Sequence, residues 1–104
     1  MMNEEVFNAA LEMSLEWGEN FHKPIQERLR QRFPAVSQDE ADELNKVCRE
    51  LTSYAFDQVE LAYLKKIPDR EVGANIRARY PLVNADSMAR LWSQGQYYAW
   101  HGNG

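Results

Sequence analysis

A stripe of two carboxylates and an imidazole is the first group in this sequence with the makings of a chemical site. Glu16, Glu19 and His22 lie three apart, a spacing that puts side chains on one face of a helix. Glu-x-x-His is also the unit with which di-iron helical bundles hold metal. Such a centre needs the unit twice, and the other histidine, His101, has Tyr98 three residues before it. Half a motif stands alone. The simpler expectation is an acidic face ending in a histidine that favours the negative end of a helix. No metal and no other cofactor is expected. A metal-dependent helical protein would need a further carboxylate beside the three, with Asp57 or Glu60 from another helix the candidates.

Cys48 is the only cysteine, and it falls on an apolar stripe with Arg49 the one adjacent charge in sequence. A thiol becomes a nucleophile when a cationic setting favours the thiolate, whereas an apolar one keeps it inert. The chain has no glycine-rich phosphate loop and no nucleophile elbow. These observations point away from an enzyme.

Four arginines in the last third suggest polyanion contacts. If the helix beginning after Asn84 entered a DNA groove, Ser87, Arg90, Ser93 and Gln94 could reach base edges. Arg70, Arg77 and Arg79 could then meet phosphates, in a helix-turn-helix-like nucleic-acid-binding regulator with Arg77, Arg79 and Arg90 as its main contacts. Charge opposes that alternative. The chain carries 16 acidic and 12 basic side chains, a net −4, and binding that depends on neutralised phosphates would be weak. Residues 67 to 104, with 4 basic and 3 acidic side chains, are the better suited part.

The least ordinary local feature is aromatic: Trp92, Tyr97, Tyr98 and Trp100 occur within nine residues. On a helix Tyr97 and Trp100 form an i, i+3 pair on a different face from Leu91. One helix in a small domain can hardly bury both faces, and Trp and Tyr are favoured interface anchors. A protein-interaction surface, for a protein partner or a second copy, is therefore expected at Trp92, Tyr97, Tyr98 and Trp100.

Helices must position all of these residues. From Asn3 to Lys23, Val6, Phe7, Ala10, Leu11, Met13, Trp17 and Phe21 recur at spacings of three and four, the period of an amphipathic helix. Gly18 within it permits a close crossing or marks an early end. Pro24 opens a short second helix to Phe33, which Pro34 stops. Ser37 and Glu40 form a capping box for a long helix to about Lys66, on which Leu44, Val47, Cys48, Leu51, Tyr54, Ala55, Val59, Ala62 and Tyr63 face inward. Pro68 and Asp69 open a fourth helix that Pro81 ends. Asn84 caps a fifth, whose inward side carries Met88, Leu91, Trp92, Tyr98 and Ala99 and which Gly102 terminates. The fold class expected is all-α: a compact bundle of about five helices in a single domain, residues 1 to 104.

The chain also repeats itself. At an offset of 47, Arg30, Arg32, Pro34, Val36, Asp39 and Leu44 meet Arg77, Arg79, Pro81, Val83, Asp86 and Leu91, six identities in twenty positions. Leu29 meets Ile76, Phe33 meets Tyr80 and Ser37 meets Asn84. Each copy reads as a short helix ended by arginines, an aromatic and a proline, then a valine and a cap that start a longer helix. A shared way of turning a helical corner accounts for it.

Composition sets the remaining bounds. With 44% hydrophobic and 27% charged residues the chain is of ordinary globular make-up. No stretch approaches the ~18 apolar residues that span a bilayer, and the N-terminal region opens on Glu4 and Glu5 rather than a basic stretch and an apolar run. A lone cysteine suits a reducing compartment, so a cytoplasmic location is expected and a membrane is not.

Overall fold

The structure, a computed structural model, describes residues 3–16 and 23–103. Among these the chain is all-helical: α1 (Glu4–Ser14), α2 (Gln26–Arg32), α3 (Gln38–Tyr63), α4 (Asp69–Arg79) and α5 (Ala85–Asn103). Contacts cluster into two units, Met1–Glu50 and Leu51–Gly104, and α3 contributes its first half to one and its second half to the other. No helix is long and apolar enough to cross a membrane among the described residues.

In the first unit, Asn3 caps α1 by accepting the Val6 amide at 2.8 Å, and Glu4 and Glu5 occupy the positive first turn. The helix ends at Ser14, well short of the expected Lys23. Ser14 turns its hydroxyl back onto the Ala10 carbonyl at 3.1 Å, a bond that competes with helical pairing. Leu15 then leaves the helical path and is buried, though the helical period gave it no inward place. Arg28 on α2 secures this corner. Its guanidinium donates to the Glu16 carboxylate at 2.6 Å and to the Met13 carbonyl at 3.5 Å, placing a cation at the end of α1. Trp17, Gly18, Glu19, Phe21 and His22 lie outside the described residues.

The second helix starts at Gln26, two residues after Pro24, because Ile25 is needed inside. Its side chain is buried and its amide donates to Asn45 Oδ1 at 3.3 Å. The core of this unit gathers Phe7, Leu11, Ile25, Leu29, Leu44 and Cys48 around small residues Ala9, Ala10 and Ala41. The capping box forms as expected: the Glu40 amide donates to Ser37 Oγ at 3.1 Å and the Ser37 amide to Glu40 Oε1 at 3.3 Å.

In the second unit α3 ends at Tyr63, close to the expected Lys66, in a Schellman turn with Lys66 N–H to Leu61 C=O at 2.8 Å and Lys65 N–H to Ala62 C=O at 3.0 Å. Lys65 takes the left-handed position, φ 62°, that glycine usually fills. Tyr63, expected inside, is the last residue of α3 and is exposed. The core holds Leu51, Ala55, Val59, Val72, Ile76 and Leu91. Asn84 caps α5 by accepting the Ser87 amide at 2.9 Å, and α5 runs through Gly102 to Asn103.

The two corners agree in backbone detail. Phe33 and Tyr80 follow their helices with φ/ψ of −127°/80° and −131°/78°, each donating to the residue four back, Leu29 and Ile76. Val36 N–H meets the Phe33 carbonyl at 3.0 Å and Val83 N–H the Tyr80 carbonyl at 3.2 Å. The paired positions Leu29 and Ile76, Val36 and Val83, and Leu44 and Leu91 are all buried. Arginine covers both aromatic stops, Arg32 at 5.3 Å from the Phe33 ring centre and Arg79 at 6.0 Å from that of Tyr80.

Candidate interaction surface

The aromatic residues of α5 divide between two settings. Ala99 is buried, Tyr98 is half-buried with its ring 5.2 Å from that of Phe56 on α3, and Trp92 lines a cavity of about 320 Å³ with Val72, Ile76, Arg77 and Met88. These face the second unit's own helices. Tyr97 and Trp100 are 48% and 59% exposed, because their positions lie on a different side of the helix from Leu91 and Ala99. His101 joins them, its ring 4.1 Å from Tyr97 and 4.7 Å from Trp100, and Tyr97 meets Tyr98 edge to face at 5.5 Å. The exposed aromatics are thus held against one another, which reduces the rotamer freedom a binding partner would have to remove.

The groups considered for DNA contact are placed differently. Arg77, Arg79 and Arg90 are exposed. The guanidinium of Arg79 lies 4.5 Å from the ring centre of Tyr54, a cation–π contact within the second unit. Ser87 and Gln94, expected to reach base edges, are only 4% and 8% exposed. Ser87 sits in the first turn of α5 beside its cap and Gln94 lies one turn beyond buried Leu91, so α5 points both inward with its core stripe. Two of the four expected base readers are therefore not presented to a groove.

Of the three residues weighed for metal, Glu16 is occupied by Arg28 at 2.6 Å, while Glu19 and His22 lie outside the described residues. Asp57 and Glu60 are exposed on α3. Among the described residues no three His, Cys, Asp or Glu side chains come together as a metal site.

Cys48 is buried in the first unit. Burial pushes its thiol up from an ordinary value near 9 to about 11, against a smaller lowering by a hydrogen bond with Ser14. The thiol is therefore protonated at neutral pH, and two outcomes follow. A thiol reagent such as DTNB will react at pH 8 only as fast as the protein opens, and at the rate of a free cysteine in denaturant. The second concerns stability. The unfolded thiol ionises near pH 9 and the folded one only near pH 11, so this contribution is complete below 9 and lost as pH rises to 11. Relative to Cys48→Ala, wild-type stability should fall by about 2–3 kcal/mol more across that window, as denaturant titrations at each pH would read.

A capacity the sequence did not disclose lies in the first corner. Val6, Phe33, Pro34, Ala35, Val36 and Leu44 line a cavity of about 610 Å³ together with Arg32, Asp39, Glu40 and Glu43. The Ser37 backbone amide, and then its hydroxyl, hold the Glu40 carboxyl below the usual carboxylate range. The repeat locates this corner, but whether a corner is filled or open depends on side chains from a separate helix, which no local pattern reports. No family model, curated protein or solved structure matches this chain.

Proposed function

We propose that this protein is a non-enzymatic protein-interaction module of a reducing, cytoplasmic compartment, and that it pairs with a second copy of itself through the Tyr97 and Trp100 surface of α5. The exposure of those two residues, at one-turn spacing and in ring contact with His101, carries the proposal. Two large aromatics left in water forgo several kcal/mol of burial, on the order of 2 kcal/mol each, which an interface would recover. They are also the residue types that dominate binding energy at interfaces. The one thiol is buried and protonated, which supports a non-catalytic role.

Sedimentation velocity of the wild type and of Tyr97→Ala/Trp100→Ala is the test. Wild type should approach dimer mass with rising concentration, and the double variant should remain at monomer mass with its melting temperature little changed. A wild type that stays monomeric throughout overturns the proposal. So does a double variant of unchanged mass that loses several kcal/mol of stability, since the two rings would then belong to the core.

A further inference from the structure

We propose that the first corner is a second binding site, a groove for a short basic segment of a partner protein that inserts one or two apolar side chains between Phe33 and Val36. The groove is independent of α5, since every residue lining it belongs to the first unit. Its volume of about 610 Å³ lies within the ~300–1,000 Å³ of sites that enclose a ligand. Six of its lining residues, Val6, Phe33, Pro34, Ala35, Val36 and Leu44, are apolar, which suits an apolar side chain.

The repeat shows what such a corner accepts. In the second corner the aromatic stop, Tyr80, is met by Tyr54 of α3 at 6.2 Å, with Arg79 over the Tyr54 ring at 4.5 Å. An aromatic side chain and a cation finish that corner from within the chain. In the first corner the matching stop, Phe33, keeps its own arginine, Arg32, at 5.3 Å from its ring centre, and both line the cavity.

Charge complementarity selects the partner. Residues 1 to 50 hold 11 acidic and 6 basic side chains, a balance of −5, against +1 for residues 51 to 104, with 5 acidic and 6 basic. Three of those carboxylates, Asp39, Glu40 and Glu43, are exposed residues of the groove's lining. Asp39 and Glu43 are exposed and form no ion pair among the described residues. An apolar anchor flanked by lysine or arginine would meet both the apolar and the acidic part of the lining, and the field of the first unit would speed its approach.

The test is fluorescence anisotropy with a labelled twelve-residue peptide carrying two leucines flanked by lysines, titrated with the full chain. Two control peptides replace the leucines by serine or the lysines by glutamate. Binding of the lysine–leucine peptide that weakens with salt is expected, with at least tenfold weaker binding of each control. Asp39→Asn/Glu43→Gln, both exposed in the lining, should weaken the lysine–leucine peptide about five- to tenfold. Ala35→Trp, which adds bulk at an exposed residue of the lining, should abolish binding. Circular dichroism melts confirm that these variants fold. Tyr97→Ala/Trp100→Ala should bind the peptide as wild type does, so this site can fail or hold irrespective of α5. Equal binding of the serine peptide would reduce the interaction to unspecific charge attraction and overturn the proposal. Indifference to Asp39→Asn/Glu43→Gln and to Ala35→Trp would do the same. Loss of self-association in Ala35→Trp would place a second copy in the groove and overturn it as well.

Discussion

Ile76→Ala will destabilise the protein by about 2–5 kcal/mol, and Leu29→Ala will do so by a similar amount. Both side chains are fully buried, and each is the anchor four residues before an aromatic stop whose amide bonds back to it. Truncation removes apolar area from water-free contact and leaves a cavity that rigid corners cannot collapse, because proline and a helix cap fix the chain on either side. Urea titrations followed by circular dichroism read both losses. A loss below about 1 kcal/mol at either position would mean that its corner yields to fill the space. Similar losses at the two would show that the repeat is one of energetics as well as of sequence.

Gly95→Ala will also destabilise, although alanine favours a helix over glycine by about 1 kcal/mol. A Cβ at Gly95 would stand 2.8 Å from both Cβ and Cγ2 of Val59 and 3.1 Å from Cγ1. Valine is held near one χ1 rotamer in a helix, so it cannot swing aside, and α5 must be displaced from α3 at this point. Overpacking of this kind typically costs about 1–3 kcal/mol and should outweigh the propensity gain. Adding Val59→Ala in the same chain should recover much of the loss, the coupling expected of two groups in direct contact. A stabilised Gly95→Ala would show that the crossing is looser than these distances state.

Much of the local architecture was legible from residue order. The capping box at Ser37 and Glu40, the Asn84 cap, the proline stops and the 47-residue repeat all rest on interactions that span three or four residues. A sequence pattern at that range is nearly a geometry. The end of α1 was not legible. Periodicity continued past Ser14, but Ser14 turned back on Ala10 and Arg28, twelve residues beyond Glu16, settled the turn. The end of α3 near Lys66 was legible to within a turn, but not the left-handed conformation of Lys65 that closes it, which its side chain does not announce.

The candidate sites divide along the same line. That Tyr97 and Trp100 sit apart from Leu91 followed from the 100° step of a helix, and Cys48 reads as buried because its stripe is apolar. Ser87 and Gln94 look like surface polar residues by type, yet their positions on the core stripe of α5 turn them inward. The groove at Phe33 is a property of neither its residues nor their spacing. Sequence by itself determined where all but the second helix begin, which faces are apolar and that the chain turns two alike corners, since these follow from contacts within a turn or two. Only the tertiary structure decided which corner is closed by Tyr54 and which stays open beside Asp39 and Glu43, because that depends on side chains meeting from helices tens of residues apart.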